Sequence, residues 1–307
     1  MKRRNQRSGQ RGSALLPVFF TPNMVARSGS FSPSAAKPLQ AVESWKRRGF
    51  PIEIHEPTPV TVEELSRVHD REHVLAILEG REPNGFGNCS LEVAASLPFT
   101  SGSMLSAARH VLRHGGAACA PCSGFHHAGF DFSGGYCTFN GLMVTASALR
   151  QEGLARKVGI IDCDTHPGDG TEDIISRLGA ASWVRHFTAG PEFDSPDQVP
   201  AFFERLGAEV AAMADCDIVL YQAGADPHIN DWGAWLTTDE MRLRDALVFE
   251  GLHRRGVPVA WNLAGGYQKE PDGSIPKVLA IHDNTVRECV KVYGLGTQSR
   301  PSCRSIR

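Results

Sequence analysis

The sequence predicts an α/β fold built on a mostly parallel sheet with helices on both faces. Short apolar runs alternate with amphipathic helical segments from about residue 50 to residue 290. No internal repeat, composition break or long linker divides them, so one domain over residues 13–295 is the simplest organisation. Chemistry-bearing side chains gather just after four of the apolar runs, and open parallel sheets bind ligands beyond the carboxyl ends of their strands.

Taken in order, residues 1–12 are basic and polar and read as a disordered tail. The apolar stretch from Ala14 to Phe20 is short, is interrupted by Pro17 and lacks a small-residue cleavage site, so it does not read as a signal peptide. Thr61 to Leu78 predicts a helix, with Thr61 as N-cap, Glu63 and Glu64 in the first turn and Gly80 beyond its end. Further helices are expected near 102–113, 141–152, 171–178, 200–214, 238–255 and 279–293, with a Thr237/Glu240 capping box opening the one near 238–255. Strands are expected near 116–121, 157–162, 183–187, 217–223 and 257–263. Residues 296–307, rich in Ser and Arg, read as a second disordered tail.

Apolar content of 41% and charged content of 21% are those of a chain that buries a sizeable core. The formal net charge of −2 argues against a nucleic-acid partner, and no apolar run is long enough to span a bilayer. The cysteines (Cys89, Cys119, Cys122, Cys137, Cys163, Cys216, Cys289 and Cys303) form no disulfide framework. Most sit beside apolar runs, as reduced thiols of a cytoplasmic protein do. Cys119 and Cys122 are spaced as a redox pair, but Ser123-Gly124-Phe125 after them is no helix start, so they read as incidental thiols.

The most informative stretch runs from Ile160 to Thr171. A buried strand ends in Asp162, Asp164 and His166, and alternate residues of an extended chain point to the same side. The strand near 217–223 leads to Asp226, the strand near 116–121 to His126 and His127, and the strand near 257–263 to Gly265-Gly266-Tyr267. Asp164, His166 and Asp226 offer two carboxylates and an imidazole, a donor set that neutralises a divalent zinc ion and leaves positions open for water and substrate. In the opposing reading, Asp162 and Asp164 cap the next helix and His166 packs in a turn. Beside a metal, His126 and His127 can share the activation of water and the protonation of a leaving group. Each then needs a partner on its far nitrogen, for which Asp162 and Asp169 are available. The glycines before Tyr267 allow a tight loop that holds its hydroxyl over the metal, where it can stabilise an oxyanion.

One competing pattern is His69-Asp70-Arg71-Glu72-His73, which matches the H-x-x-E-H helix of a zinc metallopeptidase. Its third ligand is not identifiable downstream, and Val68, Val74, Leu75 and Ile77 look like the packed side of this helix.

Over roughly residues 60–290 the chain resembles the zinc-dependent histone deacetylase-like amidohydrolases of the arginase/deacetylase superfamily, which include acetylpolyamine amidohydrolases and acetoin-utilisation-type proteins. The resemblance rests on Arg67-Val68-His69-Asp70, the looser Asn84 to Asn88, Gly124-Phe125-His126-His127-Ala128, Gly134-Gly135-Tyr136-Cys137-Thr138-Phe139-Asn140, Asp162 through Gly170, Gly224-Ala225-Asp226 and Gly265-Gly266-Tyr267. It implies a single three-layer α/β/α domain around a mostly parallel eight-stranded sheet. It implies zinc on Asp164, His166 and Asp226, His127 as general base and acid, and His126 with Asp162 as electrostatic partner. It further implies that Asp169 orients His127, that Tyr267 polarises the amide carbonyl, and that Gly135 and Tyr136 line the channel for the acyl-bearing chain. Members often hold potassium beside the strand with the first metal Asp; the Ser usual on the next strand stands here as Val184 or is shifted.

Three positions depart from the family pattern. Pro167 replaces a second His that is not a ligand, and Phe31 to Pro38 lacks the usual His-Pro-Glu-like signature of the entrance. The rim loop between Cys89 and Ser101 offers Glu92 but no Asp to grip a peptide backbone. The expected activity is removal of an acyl group, chiefly acetyl, from an acyl-lysine, an acetylpolyamine or another small acylated amine. A catalytically silent acyl-group binder and the His69/His73 peptidase are the competing functions.

Overall fold

A computed structural model of the chain describes residues 15–296. The tails expected at 1–12 and 296–307 lie outside these residues, Gly296 excepted. The strands are β1 (Leu16–Phe19), β2 (Ile52–His55), β3 (Ala117–Ser123), β4 (Val158–Asp162), β5 (Val184–Thr188), β6 (Ile218–Gly224) and β7 (Val259–Ala264). They form one sheet in the order β2-β1-β3-β7-β6-β4-β5, and every pairing is parallel. The sheet expected to have eight strands thus has seven among the described residues. β1 and β2 have four residues each, Pro17 in one and alternating Ile52-Glu53-Ile54-His55 in the other, too little pattern to announce a strand.

The helices are α1 (Lys37–Arg47), α2 (Val62–Leu65), α3 (Arg71–Leu78), α4 (Leu91–His114), α5 (Gly141–Gln151), α6 (Asp169–Arg177), α7 (Val199–Ala212), α8 (Thr238–Arg255) and α9 (Pro276–Val292). Neighbour contacts run α1-α9-α8-α7 in one layer and α3-α4-α5-α6 in the other, with α2 against α3 and α5. A parallel sheet covered on both faces needs continuous apolar strands. β4, β6 and β7 meet this, since every one of their residues is buried.

Three local expectations are corrected. The helix read from Thr61 to Leu78 is two helices: α2 ends at Leu65, and Asp70 accepts from the His73 backbone N–H as N-cap of α3 while donating its own N–H to the Phe130 carbonyl. The helix expected from 102 begins at Leu91, capped by Ser90, so the rim segment between Cys89 and Ser101 is mostly helical despite Pro98. Helix α1, which no sequence pattern announces, has Pro38 in its first turn, which helices tolerate because no N–H is needed there. The Thr237/Glu240 capping box is present at the start of α8.

Cys119 and Cys122 are buried in β3 and free, as are the other described cysteines, of which Cys89 alone is exposed. No helix among the described residues is long and apolar enough to cross a membrane.

Candidate active site

The four adjacent strands β3, β7, β6 and β4 end on the same edge of the sheet, and each hands its chain to one part of the site. β3 runs into His126 and His127, β4 into Asp162, Asp164 and His166, β6 into Asp226, and β7 into Gly265-Gly266-Tyr267. Parallel pairing in register puts the strand ends level, so residues far apart in sequence meet.

Two His–Asp pairs stand side by side. His126 Nδ1 lies 2.7 Å from Asp162 Oδ2. Asp162 is buried, and its other oxygen accepts from the Asp164 N–H at 3.1 Å and from Gln222 Nε2 at 3.0 Å. His127 Nδ1 lies 2.6 Å from Asp169 Oδ1, at the exposed first turn of α6. The two imidazole centroids are 4.1 Å apart. Against the cost of burial, the Asp162 and Asp164 carboxylates raise the His126 pKa to about 9. Burial, and then the His126 charge, lower that of His127. Spacing alone left open which acid serves which histidine, and the resemblance implied a pairing; in the structure Asp162 stands beside His126 and Asp169 beside His127.

Asp164, His166 and Asp226 each present a ligand atom within 4.8 Å of the others, the one such group among the described residues. His166 Nδ1 lies 3.0 Å from Asp164 Oδ1 and 3.2 Å from Asp226 Oδ2. Asp226 is fully buried and its Oδ2 accepts no hydrogen bond. Burial, reinforced by the Asp164 charge, pushes the Asp226 carboxyl up. Its hydrogen bond to Asp164 and the Asp226 carboxylate beside it raise the His166 pKa to about 10. Two desolvated carboxylates with an unsatisfied oxygen call for a cation between them, and the donor set fits a divalent metal with open positions. Gly265 is required here, because a Cβ at this position would stand 2.2 Å from the Asp226 carboxylate.

Tyr267 is 9% exposed, and burial together with the Asp164 and Asp226 charges holds its phenol well above the usual range. Its ring stands 5.7 Å from that of Tyr136. Gly135 adopts φ +52°, and a Cβ there would meet the His127 ring at 2.3 Å, so only glycine lets the Gly135-Tyr136 segment close over that histidine.

Several supports carried no sequence signal. Lys37 is fully buried, and its Nζ donates to the Gly265 carbonyl and, at 3.0 Å, to Ser123 Oγ. Burial lowers its pKa to about 8, against the pull of Asp226, Asp164 and Asp231. An Ala-Lys-Pro sequence at a helix start reads as surface, so only the tertiary fold finds this residue. Asp231 accepts from the backbone N–H of Tyr267 at 2.8 Å and of Trp232 at 2.8 Å. Buried Arg244 donates through Nη1 to the carbonyls of Cys163 and Gly224, at 3.2 and 2.6 Å, and so ties together the two segments that present Asp164 and Asp226.

His69 and His73 are not brought together as metal ligands. His69 Nδ1 donates to the Gly129 carbonyl at 2.8 Å and Nε2 accepts from the Asn140 N–H at 2.9 Å, so both nitrogens are spent on structure. His73 lies beside Glu82 and Ser133. Val184 carries no hydroxyl; at the other end of β5, Thr188 sits opposite Asp162 and its hydroxyl accepts from the Gly168 N–H.

The chain has relatives. Residues 33–184 match the histone deacetylase domain. The chain is 28% identical over 245 residues to an uncharacterized protein of Picosynechococcus, covering 71% of this chain and 80% of that one. It is 34% identical over 121 residues to an acetylpolyamine amidohydrolase of Mycoplana ramosa, covering 38% of this chain and 33% of that one. A crystal structure of acetylpolyamine aminohydrolase from Burkholderia pseudomallei shares the fold, with a TM-score of 0.67 at 20% identity over 90% of this chain and 99% of the other. Over residues 33–184 the chain is thus similar to the histone deacetylase family, and its fold is that of the acetylpolyamine aminohydrolase structure.

Proposed function

We propose that the protein is a zinc-dependent deacylase that hydrolyses the amide of an N-acylated amine, such as an acyl-lysine, an acetylpolyamine or a smaller acylated amine. The observation that carries this reading is the Asp164/His166/Asp226 group, with its unsatisfied buried carboxylate oxygen, set beside two His–Asp pairs. A zinc ion held by the three residues supplies a Lewis acid for the amide carbonyl and lowers the pKa of water.

The protein's own groups do the rest. His127, its Nδ1 fixed by Asp169, takes the proton of the attacking water on Nε2 and returns it to the departing amine nitrogen. His126, held by buried Asp162, keeps positive charge next to the reacting centre. Tyr267 is a neutral phenol at any working pH, so its hydroxyl can donate to the carbonyl oxygen as charge grows there. Gly135 and Tyr136 border the channel through which the acyl-bearing chain enters. A potassium ion beside β4 belongs to the same reading, with Thr188 as a side-chain oxygen donor.

The test is turnover of a panel of acyl-lysine peptides and small acylated amines by purified protein, with and without a chelator. Free amine should form, chelation should stop it, and added zinc should restore it. Zinc-loaded protein that binds acyl-amines and hydrolyses none would be a silent binder.

A further inference from the structure

We propose that the Trp232–Phe31 ring pair is a preformed platform at the mouth of this site that selects acylated amines whose remainder is a flat, uncharged aromatic group over acylated polycations. The inference rests on the deacylase reading. Trp232 is 59% exposed and Phe31 53%, whereas Trp45, Trp235 and Trp261 are buried. Leaving two large rings in water forgoes the burial that drives folding, so their exposure calls for another explanation. They come from loops far apart in sequence, yet they stack at 6.0 Å with planes 11° apart.

The pair is continuous with the reacting centre. The Trp232 ring stacks on Tyr267 at 4.8 Å, Tyr267 meets Tyr136 at 5.7 Å, and Tyr136 meets Phe86 at 5.9 Å. This row of rings leads outward from the buried tyrosine to the exposed tryptophan. It is also fixed in advance. Asp231 Oδ1 accepts from the Trp232 N–H, Asp231 Oδ2 from those of Tyr267 and Gln268, and the Gly233 N–H donates to the Asp226 carbonyl at 2.9 Å. A platform ordered before binding loses little entropy when a ligand lands on it.

Charge decides between ring and polycation. Both Asp231 oxygens are engaged by backbone N–H groups, and Glu92 accepts from the Arg27 backbone and guanidinium. The cation next to the pair is Lys269, whose Nζ lies 4.9 Å from the Phe31 ring centroid. A polyamine tail would meet that cation, whereas a neutral ring adds stacking and apolar contact.

The experiment compares kcat/KM of the zinc-loaded full chain for N-acetylphenethylamine, N-acetylhexylamine and a mono-acetylated linear triamine. The aromatic amide should lead both others by about tenfold, the scale of one good aromatic contact. The gain should lie in KM, because a remote ring stacks equally in the ground and transition states. Trp232→Ala should erase the lead and Trp232→Phe should keep most of it. A native preference for the triamine, or a lead that survives Trp232→Ala, overturns the proposal. If the native protein hydrolyses none of the three, the deacylase reading fails by itself. The platform is then judged by indole fluorescence during titration with N-acetylphenethylamine: a change present in the native protein and absent in Trp232→Ala sustains it, and no change overturns it.

Discussion

His126 and His127 are neighbours in sequence, with rings 4.1 Å apart, yet they rest on unlike carboxylates, one buried and one at the exposed start of a helix. That asymmetry suits one histidine to holding charge and the other to moving a proton. His127→Ala should lower turnover by roughly two to four orders of magnitude, while metal analysis finds zinc retained; an unchanged rate removes His127 from the mechanism. Tyr267→Phe should lower kcat by about 10²–10³ with little change in KM, since the lost hydrogen bond acts on the developing oxyanion. An equal loss in kcat and metal content would point instead to a structural role. Asp164→Ala and Asp226→Ala should abolish the binding of about one zinc per chain, whereas the double variant His69→Ala with His73→Ala should keep it. The reverse pattern, read by metal titration, would restore the peptidase reading.

Helix α8 contributes no proposed ligand and still governs the site through one turn. Arg244 and Asp245 form a buried ion pair at 2.8 Å. Asp245 also accepts from the Tyr221 hydroxyl at 2.5 Å and the Thr285 hydroxyl at 2.6 Å, joining α8 to β6 and α9. Arg244 in turn holds the carbonyls that precede Asp164 and Asp226. Removing one partner of a buried pair leaves an uncompensated charge, so Arg244→Ala should cost about 3–5 kcal/mol of stability. Chemical denaturation reads this as a lower midpoint at unchanged m-value, and a midpoint equal to the native one would show that Asp245 needs no cation.

For the whole molecule, pH acts on histidines that folding keeps neutral. Burial lowers the His69 pKa to about 4 and pushes that of His282, whose ring nitrogens accept and donate no hydrogen bond, well below its ordinary value. A base whose folded pKa lies below its unfolded value of about 6.5 binds its proton first in the unfolded chain. The stability linked to His69 is therefore full above pH ~6.5 and is lost as pH falls from there toward ~4, on the order of 3 kcal/mol at the acid end. A protonated His69 would also turn Nε2 from an acceptor into a donor facing the Asn140 N–H. Urea midpoints measured at intervals between pH 7 and 4 should decline through this range, and a flat profile would refute the linkage.

The sequence by itself determined what repeats along the chain. The runs around β3, β4, β5, β6 and β7 and the Thr237 capping box were legible because strand and helix periodicity are local properties. So was the likeness of Asp162 through Gly170 to a known family, because alternate residues of one strand share a side without help from the rest of the fold. Tertiary structure decided what depends on partners from elsewhere. It broke the helix read over 61–78, because Asp70 and His69 bond to Phe130, Gly129 and Asn140, far along the chain. It made a helix of the expected rim loop and a strand of Leu16–Phe19, where packing outweighed weak local preference. It also buried Lys37 against the Gly265 carbonyl and stacked Trp232 on Tyr267. Neither contact has a periodic signature, since each joins residues whose only relation is that parallel strands end on the same edge of one sheet.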